Sequence, residues 1–189
     1  MQRTRTFIAL DMGKTIRDRL LALQANLTQT GAEVKWVEEA NLHLTLLFLG
    51  EVDNRDLIAI SRAVEEAAAT QPALELSIEG VGCFPNMRRP RVVWVGVGKG
   101  VEEVRSLHKA LEEPLLELRC YRREERQFTP HVTLGRIRTE KPMPQLVAAL
   151  EKKRDFKAGE VSIPEVLVMS SDLSSNGPVY TVMSRGKLG

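Results

Sequence analysis

Three histidines occur in the 189-residue chain, and two of them stand in one pattern: His43-Leu44-Thr45-Leu46 and His131-Val132-Thr133-Leu134. On an extended strand, side chains two positions apart project from the same face. The pattern therefore sets His43 beside Thr45 and His131 beside Thr133. Leu42, Leu44, Leu46, Val132 and Leu134 turn the other way, into a core. A lone strand histidine is ordinarily a half-buried structural residue. Two in matching motifs can instead line one cleft with two imidazoles and two hydroxyls. That set suits in-line hydrolysis of a phosphodiester. A neutral imidazole takes a proton from the attacking water and a protonated one gives a proton to the leaving oxygen, each role contributing about 10²–10⁴ in rate. An ordinary histidine pKa of about 6.5 keeps both forms accessible at neutral pH. The threonine hydroxyls can donate to the non-bridging oxygens, where charge must be held. The two rings are expected in opposite protonation states, their similar intrinsic pKa values pushed apart by the phosphate anion and nearby arginines. His108 has no such motif and reads as a solvated helix residue.

Other chemistries lack their residues. No H-x-H, H-E-x-x-H or dense His/Asp/Glu cluster accompanies either motif, so no metal and no cofactor are expected. The run Gly96-Val97-Gly98-Lys99-Gly100 lacks the spacing of a phosphate loop and reads as a strand-to-helix turn. No nucleophile elbow is present.

These motifs need strands to carry them, and the hydropathy pattern supplies strands and helices in alternation. Strands are expected at 5–10, 33–37, 42–49, 73–81, 91–97, 131–137, 160–169 and 178–185. Helices are expected at 14–29, 54–69, 101–118 and 143–153, the second capped by Asp53 or Asn54. Pro114 should kink or break the third. The second half repeats the first: the motif histidines lie 88 residues apart and the helices beginning at Lys14 and Val101 lie 87 apart. Order, motif and offset agree, which points to an internal duplication over roughly 1–90 and 91–189. Two copies with one motif each make a single site only when packed about a pseudo-twofold axis. With no flexible linker between them, residues 1–189 are expected to form a single bilobal domain.

Composition sets broad bounds. Hydrophobic residues make up 43% and charged residues 28%, a globular balance, and the net charge of +2 permits a phosphate-bearing partner without requiring one. Cys83 and Cys120 are too few and too scattered for a disulfide framework and read as free thiols. The apolar run from Phe7 to Leu10 is too short for a signal peptide or a membrane span, so a cytoplasmic location is expected, with no membrane partner. Arginines interleave with aromatics around the motifs: Arg88, Arg89 and Arg91 after Phe84, and Arg119, Arg122, Arg123 and Arg126 before Phe128. Collectively they suit a groove for single-stranded RNA. Arg136 and Arg138 follow the second motif, and Arg136 reaches the histidine face only if the strand bulges at Gly135. Arg91, Arg136 and Phe48 join Thr45 and Thr133 as candidate substrate contacts, beside His43 and His131 as candidate catalytic residues.

At these residues the sequence resembles the 2H phosphoesterases, in particular the RNA 2′,3′-cyclic phosphodiesterases once named 2′–5′ RNA ligases. VKWVEEANLHLTLLFLGEV at 34–52, FPNMRRPRVVWVGV at 84–97 and FTPHVTLGRI at 128–137 all look like that family's segments, so the likeness spans most of the chain. The resemblance implies a duplicated α+β fold: two mainly antiparallel sheets flanked by helices about a pseudo-twofold, with the cleft between them. It implies metal-independent hydrolysis of an RNA terminal 2′,3′-cyclic phosphate to a 2′-phosphomonoester, with weak 2′–5′ ligation in reverse. It makes His43 the proton donor, His131 the proton acceptor, and Thr45 and Thr133 the phosphate-holding hydroxyls. The expected partner is such an RNA end or a related nucleotide, met by a monomer without an obligate protein partner. Two other readings stay open: a non-catalytic RNA- or nucleotide-binding module, and a cyclic phosphodiesterase acting on a small nucleotide.

Overall fold

Helices form where apolar residues recur every three or four positions, and each buries that stripe. In the computed structural model, which describes residues 2–175 and 177–189, helix α1 (Gly13–Thr28) buries Ile16, Leu20, Leu23 and Leu27. Helix α2 (Leu57–Ala69) buries Ile60, Val64 and Ala68, α3 (Val101–Glu117) buries Val104, Leu107, Leu111 and Leu115, and α4 (Pro144–Lys152) buries Leu146 and Leu150. Between them run β1 (Arg3–Leu10), β2 (Val34–Trp36), a 3₁₀ turn at Glu39–Asn41, β3 (Leu44–Asp53), β4 (Leu74–Phe84), β5 (Val92–Val97), β6 (His131–Ile137), β7 (Lys157–Ile163), β8 (Glu165–Ser174) and β9 (Gly177–Lys187).

Three local expectations are corrected. Helix α2 begins at Leu57, not Asn54, because both expected caps are engaged elsewhere: Asp53 binds the Arg55 guanidinium and Asn54 Oδ1 accepts a hydrogen bond from Thr4. Helix α3 continues through Pro114 to Glu117. The loss of one backbone bond near the helix end is offset by burial of Leu111 and Leu115, each worth about 1.5–3 kcal/mol. The single strand expected at 160–169 is two, divided at Pro164, and they pair with different partners.

The strands lie in the order β7-β4-β5-β6-β3-β1-β8-β9, with β2 also on β6, and all adjacent pairs are antiparallel. All nine strands belong to one continuous sheet, and the two expected sheets are its two wings. They meet at one seam pair, Leu44 with Val132. Each wing draws on both halves of the sequence: β4 joins β5, and β8 joins β1. The helices cross over as well, α1 packing on β7 and α4 while α3 packs on α2 and β3. Under them lies one continuous core in which Leu44, Val132 and Leu134 are fully buried.

A buried amide ties this core to the second motif. Gln24 Nε2 on α1 donates to the carbonyls of Val37 and Leu134, both at 2.9 Å. Removing a buried donor from such acceptors costs about 1–3 kcal/mol. Gln24→Leu should therefore lower the denaturation midpoint by that equivalent. It should also reduce turnover per folded molecule, because Leu134 shapes the strand that carries His131. A variant as stable as the parent would show that these bonds do not hold α1 to the sheet.

Candidate active site

The seam pair brings the motifs together. Counting outward from Leu44 and Val132 along antiparallel strands, His43 stands across from Thr133 and Thr45 across from His131. All four side chains are half-buried, whereas Leu42, Leu44, Leu46, Val132 and Leu134 are buried on the opposite face. The rings are near enough that a charge on His131 depresses the pKa of His43.

Each strand then bulges. Leu46 has no partner between the pairs Thr45–Ala9 and Leu47–Ile8, and Leu134 has none between Thr133–Trp94 and Gly135–Val93. The two bulged leucines are themselves 88 residues apart. A bulge shifts the alternation by one, so the next outward side chain falls on the motif face. In β3 that residue is Phe48, 51% exposed and 6.1 Å from Phe7 between ring centroids. In β6 it is Arg136, exposed, whose charge adds to the desolvation that lowers His131 and partly offsets the burial that raises Tyr180. Gly135 is required there, since a Cβ would lie 2.6 Å from Val34 and 2.8 Å from Trp36. Lys35 on β2 pairs in register with Arg136, adding a second cation on that side. Arg91 is differently placed: its guanidinium is held by Glu140 at 2.7 Å and by the Thr139 carbonyl at 3.3 Å.

Backbone carbonyls orient both imidazoles. His43 Nδ1 lies 2.6 Å from Asn41 O, and His131 Nδ1 lies 2.6 Å from Thr129 O. A carbonyl only accepts, so Nδ1 carries the proton in both rings and Nε2 is left for proton transfer. His43 Nε2 is 2.9 Å from Thr45 Oγ1. The Thr133 hydroxyl has no hydrogen bond among the described residues.

Aromatic rings wall each histidine, and of these only Phe84 stood out in the sequence, as part of an arginine–aromatic run. His43 lies 5.0 Å from Phe7 and 5.3 Å edge-on from Tyr180, while His131 lies 4.9 Å edge-on from Phe84 and 6.1 Å from Trp94. Trp94 fits only because Gly82 faces it; a Cβ there would meet the indole at 2.4 Å. The third histidine is not solvated as expected. His108 stacks on Phe128 at 4.1 Å, next to the residue whose carbonyl holds His131.

This burial has an electrostatic consequence: in the free protein both rings shift the same way. Desolvation pushes His43 down to about 4, against weaker upward pulls from the Asn41 carbonyl and Asp11. Desolvation also lowers His131, and the Arg136 charge lowers it further. Burial thus favours the neutral form of both rings in the free protein, and an anion in the cleft would pull towards the protonated form. Among the described residues, no group of three His, Cys, Asp or Glu side chains could hold a metal ion, and both cysteines are free.

Comparison with known proteins follows the same division into halves. A model of LigT-like phosphoesterases matches the chain twice, over residues 10–94 and 95–180. The chain belongs to the LigT-like phosphoesterase family. It is 34% identical over 181 residues to an RNA 2′,3′-cyclic phosphodiesterase of Methanothermobacter thermautotrophicus, covering 96% of this chain and 97% of that one. It is 35% identical over 165 residues to the enzyme of that name from Aeropyrum pernix, covering 87% and 92%. Among solved structures, TT0787 of Thermus thermophilus superposes with a TM-score of 0.82 at 27% identity, covering 97% of each chain. E. coli LigT complexed with 3′-AMP superposes with a TM-score of 0.77 at 26% identity, covering 100% of this chain and 99% of that one.

The two half-buried imidazoles leave a signature in stability. A histidine with a depressed folded pKa binds protons more tightly when unfolded, so acid favours unfolding. For His43 the loss should develop as pH falls from 6.5 towards 4. Denaturant midpoints measured across that window should fall for the parent protein and fall less for His43→Gln. Equal slopes would show that burial does not perturb His43.

Proposed function

We propose that this chain hydrolyses the 2′,3′-cyclic phosphate at an RNA end to a 2′-phosphomonoester, with His43 as proton donor and His131 as proton acceptor. The observation that carries this reading is the pair of imidazoles whose Nδ1 atoms are both held by carbonyls, leaving two Nε2 atoms for one cleft. His131 Nε2 takes the proton of a water as it attacks phosphorus, and the bond to the ribose 3′-oxygen breaks in line. His43, protonated once the phosphate anion is bound, gives its Nε2 proton to that oxygen. Thr133 and Thr45 donate to the non-bridging oxygens, Arg136 balances the developing charge, and Phe48 offers a face for a base. Arg91 pairs with Glu140 in the free protein. No step calls for a metal or cofactor. The protein would act as a monomer in the cytoplasm on one compact bilobal domain; among the described residues no helix is long and apolar enough to cross a membrane. The same geometry, with a 5′-hydroxyl standing in place of the attacking water, would join it weakly to the cyclic end.

Incubation with an oligoribonucleotide ending in a 2′,3′-cyclic phosphate, in the presence of chelator, tests this reading. The product should carry its phosphate on the 2′-oxygen. His43→Ala and His131→Ala should each lower kcat by about 10² or more, and the double variant should lose much less than the product of the two. Near-normal turnover in either single variant would remove that histidine from the mechanism.

The pH profile should be displaced. Turnover needs one proton on the histidine pair, and kcat/KM reports the free protein, where both pKa values are lowered. The optimum of kcat/KM should therefore lie below pH 6.5, and that of kcat should lie higher because the bound anion raises the donor. A kcat/KM bell centred above neutrality would contradict the burial seen here.

A further inference from the structure

A 2′,3′-cyclic phosphate carries two ester oxygens on one phosphorus, and opening either bond relieves the same ring. Two imidazoles and two threonine hydroxyls in like positions would serve either opening. A preference for the 3′-oxygen therefore calls for a polar group that one histidine has beside it and the other lacks. Phe48 and Arg136 break the symmetry further out, past the bulges at Leu46 and Leu134. Closer in, the difference lies in the rings around the histidines.

Each imidazole is bracketed by two rings. Phe7 lies 5.0 Å from His43 and Trp94 lies 6.1 Å from His131; these two residues are 87 positions apart in sequence and hold equivalent places. An edge-on ring completes each pair, Tyr180 at 81° to His43 and Phe84 at 86° to His131. The edge-on rings differ by a hydroxyl, and the His43 side has it. Tyr180 is half-buried, and its hydroxyl is open to solvent and makes no hydrogen bond among the described residues. Arg136 belongs to the opposite wing, yet its charge is felt at the phenol, so the hydroxyl end lies towards the cleft. Asn41 sets this ring against His43. Its carbonyl lies 2.6 Å from His43 Nδ1, and its side chain donates at 2.9 Å to the carbonyl of Pro178, two residues before Tyr180.

We infer that Tyr180 sets which ester bond breaks: its hydroxyl donates to the 2′-oxygen of the cyclic phosphate and leaves the 3′-oxygen facing His43 Nε2. The inference rests on the proposed reading, in which His43 is the proton donor. An ester oxygen only accepts, and a phenol is a matching donor. Burial raises the phenol's pKa, with Arg136 and Arg5 opposing, so the proton stays on it. A phenol is a far weaker acid than an imidazolium, so holding the 2′-oxygen does not expel it. As the water oxygen bonds to phosphorus and its proton passes to His131, the bond to the 3′-oxygen breaks and that oxygen takes the His43 proton. The 2′-oxygen keeps its bond to phosphorus. Without the hydroxyl the substrate can seat either ester oxygen against His43. Where the 2′-oxygen takes that place, it leaves instead and the product is a 3′-phosphomonoester.

The test compares product isomers from the full-length protein and Tyr180→Phe. Each is incubated with an oligoribonucleotide ending in a 2′,3′-cyclic phosphate. The 2′- and 3′-phosphomonoesters are resolved against standards, and protein-free hydrolysis is subtracted. Tyr180→Phe keeps the ring that packs on Phe7 and His43, so its denaturation midpoint should match the parent's. The parent should give the 2′-isomer. The variant should give about a tenth or more of its product as the 3′-isomer, with kcat/KM lowered about three- to tenfold, as loss of one hydrogen bond allows. Phe84→Leu removes the edge-on ring from His131 with no hydroxyl at stake; it should slow the reaction and leave the isomer as in the parent. Product from Tyr180→Phe that is all 2′-isomer would overturn the inference, whatever its rate. So would a 3′-isomer that appears equally in Phe84→Leu, or a Tyr180→Phe variant with no turnover. A parent protein that yields the 3′-isomer, or leaves the cyclic end intact, would instead sink the reading of the histidine pair, and this inference with it.

Discussion

The structure depends on a single backbone pairing, Leu44 with Val132, between strands that lie in different halves of the sequence. Both side chains are wholly withdrawn from solvent, so the seam is fixed from below by the core. Above it, residues one step either side of each leucine or valine are forced into one cleft. Had the pairing continued, the strands would have lain flat together and filled that space. The bulges at Leu46 and Leu134, one on each side of the seam, send the next outward side chain onto the motif face instead.

The frame is nearly symmetric, but its two walls are not. After equivalent bulges, one wing presents Phe48 and the other Arg136, with Lys35 beside it. An exposed ring thus stands on one side and two cations on the other. Symmetry provides a pair of imidazoles, and the departure from symmetry makes the two sides of the cleft chemically unlike.

Burial and charge oppose one another at this site. Phe7, Tyr180, Phe84 and Trp94 exclude water from the imidazoles and so favour their neutral forms. The carbonyls of Asn41 and Thr129 pull the other way, because a ring that already donates through Nδ1 loses less on becoming charged. Burial wins in the free protein. The anion that restores the balance is the proposed substrate itself, which couples protonation to occupancy of the cleft.

By itself the sequence determined which residues share a face, because that follows from local period alone. The offset of 88 residues revealed the duplication, the four helical stripes were legible, and His43, Thr45, His131 and Thr133 could be grouped before any contact was known. The start of α2 and the break at Pro164 were misread because a cap and a strand partner are chosen by neighbours distant in sequence: Thr4 claims Asn54, and β4 and β1 claim the two strands either side of Pro164. The tertiary structure alone decided that the halves exchange strands, that Arg91 turns to Glu140, and that four rings from β1, β4, β5 and β9 surround the histidines. It alone decided the sign of the histidine shifts. A pKa depends on how much water is excluded and which charges approach, and both are properties of packing rather than of residue order.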